Sequence, residues 1–122
     1  MANNYDESYY SIGTNLTAGT SNTLFTVPTG YEARVTMLFI ANGTGSTAGY
    51  SAAWHDGSTI TFQANKSLGS GLYDQFGGGA GLFLLMKEGD YMTVTPDAGS
   101  TFTSIVSFTL AKSDGTKFDL TI

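Results

Sequence analysis

The single histidine of the chain, His55, is followed by Asp56. Such a neighbour pair is half of a general acid–base device. The next step, Asp56-Gly57, is the dipeptide of a tight hairpin turn with positive φ at both central residues, so a hairpin position is the plainer reading. The chain has no Cys, no nucleophile motif marks a Ser that would meet His55, and a histidine zinc site needs at least two histidines. The carboxylates are Asp6, Glu7, Glu32, Asp56, Asp74, Glu88, Asp90, Asp97, Asp114 and Asp119. Most fall in turn-like stretches, where Asp caps its own backbone. Their spacing selects no facing glycosidase pair and no EF-hand loop. Gly77-Gly78-Gly79-Ala80-Gly81 has the composition of a phosphate cradle, yet it leads into a strand pattern and lacks a following Lys-Ser or Lys-Thr. The residue types therefore argue for no enzyme, no metal and no cofactor.

Aromatics are the remaining chemistry: seven Tyr, eight Phe and one Trp. Alternation assigns Phe25, Phe39, Phe62, Phe83, Phe102 and Phe108 to a core. Tyr5, Tyr9, Tyr10, Tyr31, Tyr50, Tyr73 and Trp54 remain for surfaces, and Tyr and Trp are favoured where proteins meet. Residues 9–16 carry no charge, so nothing in them guards a strand edge against a partner. Tyr5, Tyr9, Tyr10, Ile12, Tyr73 and Phe76 are the expected interface residues. Pairing of residues 9–16 within their own sheet is the alternative. Aromatics on a sheet also stack on sugar rings, which keeps a carbohydrate-binding module in view.

The elements that position these residues read as strands. In residues 31–41, Val35, Met37 and Phe39 alternate with Thr36, Leu38 and Ile40, which is the pattern of a long central strand. Its first face is wholly apolar and its second becomes apolar towards its end, as in a strand that starts near an edge and runs into the core. A strand at 24–27 stops at Pro28. Residues 50–55 and 59–63 flank the Asp56-Gly57 turn. Residues 64–81 are Gly-rich and expected as one long loop. Residues 82–86 form a continuous apolar run, expected to be buried on both faces. A strand at 91–95 ends at Pro96, and Phe102, Ser104, Val106, Phe108 and Leu110 share one face of another. Asp114-Gly115 signals a second hairpin, with a closing strand at 118–122. No segment has helical spacing. The chain is predicted to be all-β: an antiparallel β-sandwich, jelly-roll-like, of eight or nine strands.

At 122 residues one domain is expected, with a flexible arm at 1–8 and the sandwich at 9–122. Only 12% of residues are charged and the net charge is −5. The five basic residues, Arg34, Lys66, Lys87, Lys112 and Lys117, are scattered, which argues against a nucleic-acid partner. No apolar run reaches the ~20 residues of a membrane helix, and the N-terminus lacks the pattern of a signal peptide. Synthesis in a cytoplasm is expected, and the sequons at Asn15, Asn42 and Asn65 are read as chance.

The run Leu24-Phe-Thr-Val-Pro-Thr-Gly-Tyr-Glu-Ala-Arg-Val-Thr-Met-Leu-Phe-Ile-Ala-Asn-Gly-Thr resembles a phrase of small virion proteins of tailed bacteriophages, cyanophages among them. Lys87-Glu-Gly-Asp-Tyr-Met-Thr-Val-Thr-Pro-Asp-Ala-Gly-Ser resembles the second half of the same pattern. The resemblance covers residues 24–100. It implies a β-sandwich in a virion, made in the host cytoplasm, with no catalytic residues. It further implies a capsid decoration or accessory protein that binds the major capsid protein or other virion proteins as a homo-oligomer, a trimer being the first expectation. A tail fibre or tail adaptor module is the alternative within the virion.

Overall fold

The computed structural model describes residues 8–79 and 83–112. The expected arm with Tyr5, the Asp114-Gly115 hairpin and the closing strand at 118–122 lie outside the described residues, apart from Ser8. The described residues form nine strands: β1 (Ser8–Leu16), β2 (Asn22–Thr26), β3 (Tyr31–Asn42), β4 (Ala48–His55), β5 (Thr59–Leu68), β6 (Tyr73–Gly77), β7 (Leu84–Met86), β8 (Tyr91–Pro96) and β9 (Phe102–Lys112). One sheet has the order β1-β9-β3-β6, with β7 also paired to β3; the other has the order β2-β8-β4-β5. All pairings are antiparallel.

This order is a rolled ribbon. The β4/β5 hairpin is its tip. β3 then pairs with β6 and β7, β2 with β8, and β1 with β9, and successive pairs fall into alternate sheets. That is jelly-roll connectivity, with β6 and β7 as one interrupted strand. The core between the sheets is apolar, with Val27, Val35, Leu38, Ile40, Met86, Met92, Val94, Phe102 and Val106 almost wholly buried. The expected inward face of β9 is observed: Phe102, Ser104, Val106 and Phe108 are buried and Leu110 packs against the core.

β3 departs from simple alternation. Val35 pairs with Phe108 and Met37 with Ser107, so Thr36 is an extra residue. A bulge of this kind shifts the phase of every later side chain. Ala33 and Val35 face the core before it, and Leu38, Ile40 and Asn42 after it. The core place expected for Phe39 is therefore wrong: Met37 and Phe39 are only half-buried and lie on the outer face. The bulge also marks a change of partner, since β7 pairs with 33–35 and β6 with 37–41. Gly78 N and Phe83 N donate to the carbonyls of Thr36 and Val35, each at 2.8 Å.

Three other expectations are corrected. Residues 64–81 are not one loop, because β5 continues to Leu68 and β6 follows. β5 extends by absorbing two register shifts against β4 and placing Asn65 at φ 46, which breaks the alternation seen in sequence. β7 is not buried on both faces. It covers only Leu84–Met86 at the sheet margin, with Leu85 41% exposed. Tyr50 is not a surface residue, being 1% exposed.

Gly77 lies at φ 77, and a Cβ there would collide with the Thr36 carbonyl and, at 2.9 Å, with Phe83 Cβ. Gly77→Ala combines left-handed strain with a clash against backbone. It is expected to cost about 2–3 kcal/mol, read as a lower urea midpoint; an unchanged midpoint would contradict the packing. Ser104 is 1% exposed and its hydroxyl has no hydrogen-bond partner among the described residues. Ser104→Ala removes an unsatisfied polar group and is expected to stabilise by about 1 kcal/mol, a rise of a few degrees in Tm.

Candidate interaction surface

Register places the outer face of the five-stranded sheet. One row runs Tyr73, Ala41, Thr103, Asn15; the next runs Gln75, Phe39, Ile105, Gly13; the next runs Gly77, Met37, Ser107, Ser11. None of these twelve side chains is charged. Tyr73 is 57% exposed and stacks on Phe39, with ring centroids 4.7 Å apart. Ile105 beside them is 41% exposed. Charge enters only beyond the bulge, where Arg34 Nη2 meets Glu32 Oε2 at 3.2 Å. This is an apolar and amide strip across a sheet face, with the expected Tyr73 at one corner.

β1 is the margin of that face. Tyr9 is 81% exposed, on the outer side opposite Thr109. Tyr10 is opposite Phe108, stacks on it at 5.5 Å, and remains half-exposed; Ile12 packs against the core. A shallow groove of about 350 Å³ runs here, lined by Tyr9, Tyr10, Ser11, Thr36 and Ser107 among others. Tyr9, Tyr10 and Ile12 share β1, with Tyr9 on its outer face and Tyr10 and Ile12 on its inner one. Tyr73 lies on the same sheet but is separated from them by β9 and β3. Phe76 does not join them, because it turns inward and closes the sandwich with Phe62 and Phe83 at centroid distances of 5.5 and 5.9 Å. Residues 9–16 do pair within their own sheet, with β9. Phe39, Ile105 and Leu85 were missed as surface groups. For Ile105 the alternation of β9 already points outward; for Phe39 the Thr36 bulge hid it.

Opposite this margin the two sheets are clasped. Tyr50 of β4 donates its hydroxyl to Asp74 Oδ2 of β6 at 2.6 Å, and Lys66 of β5 meets the same carboxylate at 3.2 Å. Asp74 ties a marginal strand of one sheet to a central and a marginal strand of the other. Burial, then the hydrogen bond to Asp74 and its negative charge, push the Tyr50 hydroxyl far above the ordinary phenol range.

The His55 ring and the Asp56 carboxylate take separate partners. His55 Nε2 lies 2.9 Å from Thr93 Oγ1 and Nδ1 lies 3.2 Å from Thr59 Oγ1, while the ring stacks on Tyr91 at 4.3 Å. Asp56 Oδ1 accepts from Ser58 N within the hairpin turn. His55 borders a depression of about 190 Å³ on the outer face of the four-stranded sheet, lined by hydroxyls of Ser51, Thr61, Thr93 and Thr95 over Ala53. Among the described residues no cluster of three His, Cys, Asp or Glu could hold a metal ion.

No protein-family model and no curated protein matches the chain. Among solved structures it is similar to a chain of the Bacillus endospore appendages, which form disulfide-linked pili. That match has a TM-score of 0.55 and 9% identity over 92% of this chain and 93% of that one. A chain of the T13 IBDV viral particle matches with TM-score 0.47 and 13% identity over 89% of this chain and 32% of that one. A chain of infectious bursal disease virus Gx strain matches with TM-score 0.47 and 10% identity over 94% and 35%. The chain spans about a third of the length of those virus chains. At 9% identity the likeness to the pilus chain is one of fold.

The clasp makes a pH prediction. A phenol whose folded pKa is raised contributes stability that is complete below its unfolded value and is lost as pH rises beyond it. Tyr50→Phe is expected to cost about 2 kcal/mol at pH 7, the scale of a hydrogen bond to a charged acceptor. Above pH 10, where an unfolded phenol ionises, the wild type loses stability faster than Tyr50→Phe, and the gap between their urea midpoints narrows. A gap that widens would contradict the arrangement.

Proposed function

We propose that the chain is a non-enzymatic structural protein of a bacteriophage virion. Its role is capsid decoration or a similar accessory function, in which it binds the major capsid protein as a homo-oligomer after synthesis in the host cytoplasm. The observation that carries the reading is the uncharged strip on the outer face of the five-stranded sheet, between the Thr36 bulge and Ala41, with Tyr73, Phe39 and Ile105 displayed on it. Such a face loses little on desolvation, since no ion must leave water, and aromatic anchors supply contact area with few rotors. The virion context rests on the two sequence phrases at 24–44 and 87–100. The fold shared with a subunit of disulfide-linked pili supports an assembly role. With no Cys this chain holds its partners without disulfides. Many weak contacts repeated over a shell then act together, since each must break before the shell opens. The hydroxyl-lined depression beside the His55–Tyr91 stack favours a second reading, glycan binding, which a glycan array addresses.

Quantitative mass spectrometry of purified particles tests the reading. Hundreds of copies per particle are expected. A few dozen or fewer would place the chain in the tail, as a fibre or adaptor module, and its absence from particles would end the virion reading. Light scattering gives the order of the oligomer, a trimer being what the sequence resemblance implies.

A further inference from the structure

The four lateral edges of the sandwich differ in how they refuse a further strand. Proteins guard edges with bulges, charges, prolines or short strands. β5 carries two register shifts, Asn65 at φ 46, and Lys66. The β6/β7 edge is two short pieces, with Asp74 held by Tyr50 and Lys66. β2 has five residues and a register shift between Thr23 and Phe25, and ends just before Val27-Pro28. β1 has none of these devices. It runs nine residues in unbroken register with β9, from Ser8 opposite Leu110 to Leu16 opposite Phe102, without a charge or a proline. Among the described residues no strand lies on its other side.

We infer that the outer edge of β1 pairs antiparallel with β1 of a second copy, joining two five-stranded sheets into one continuous sheet. The inference rests on the homo-oligomer reading above, names its contact, and makes the oligomer a dimer in place of the trimer that the sequence resemblance implies. The strand is complementary to itself. In a two-fold register centred on Ile12, Ile12 meets Ile12, Tyr10 faces Thr14, Tyr9 faces Asn15 and Ser11 faces Gly13. Each tyrosine then meets a smaller side chain, the two Ile12 side chains meet each other, and no charge meets another. A foreign strand finds no charge on β1 by which to be selected, whereas a second β1 supplies this match by symmetry. An isologous contact also closes on itself, so the open edge is satisfied without growth into a fibre.

The absence of Cys makes the test direct, because a single introduced thiol has only its symmetry mate to meet. Ile12→Cys in the full chain, oxidised under air, is expected to form a covalent dimer nearly completely, while Gln63→Cys on the guarded β5 edge forms no cross-link. Light scattering on the wild type is expected to read twice 12.8 kDa. An oligomer in which Ile12→Cys does not cross-link would overturn the β1 contact and leave the homo-oligomer reading intact. A trimer without that cross-link does the same. Equal cross-linking of Gln63→Cys would mark random collision and overturn it too. A monomer at high concentration whose β1 amides resist exchange would assign the edge to another segment of the same chain and overturn the inference. Particle copy number is measured separately, so failure here and failure of the virion reading are distinguishable.

Discussion

One extra residue in β3 sets much of this molecule. Thr36 has no opposite number on β9, so β3 shows the core Ala33 and Val35 on one side of the bulge and Leu38, Ile40 and Asn42 on the other. Without that change of phase Met37 and Phe39 would point inward and Leu38 and Ile40 outward. The bulge also interrupts the strand beyond it: the carbonyls of Val35 and Thr36 are taken by Phe83 and Gly78 at the two ends of the β6–β7 connection. The outer face is a consequence. Phe39 is displaced from the core, and Tyr73 covers it only in part.

The inner side is fastened in two places. Near β1, Phe108 packs between Phe25 at 4.1 Å and Tyr10 at 5.5 Å, so an edge residue is stacked on the core that joins the sheets. On the far side, the Phe62–Phe76–Phe83 triangle and the Tyr50–Asp74–Lys66 clasp close the gap between β5 and β6. Buried Asn42 closes one end, with Nδ2 donating to Leu68 O at 2.8 Å and Ser46 O at 3.1 Å. A sandwich fastened on its far side and unguarded along β1 offers one margin for association, and no charged side chain stands on that strand to oppose it.

Much of this was legible from alternation alone. β9 was read correctly because its inward set, Phe102 to Phe108, meets no bulge. The Asp56-Gly57 hairpin was read from its turn residues and joins β4 to β5 as expected. Alternation failed where pairing partners decide. A bulge leaves no mark in a single strand, since residues on either side of Thr36 are equally apolar. Tyr50 was assigned to the surface because its acceptor, Asp74, is 24 residues away and its neighbours are small. β5 beyond Gln63 looked like loop because two irregularities against β4 erased its period. Of the expected surface residues, Tyr9 and Tyr10 are exposed on β1, whereas Phe76 turns inward because β6 pairs with β3 with Phe76 opposite Leu38.

The central claim is that the five-stranded sheet is the associating side of this molecule. Amide hydrogen exchange, compared between dilute free chain and chain bound on particles, measures it segment by segment. The account predicts that protection gained on assembly concentrates in β1 and β6, where the unguarded edge and the Tyr73 strip lie, with β5 unchanged. Gains confined to the hydroxyl-lined face around Ser51, Thr61 and Thr93, with β1 exchanging as fast as before, would contradict it.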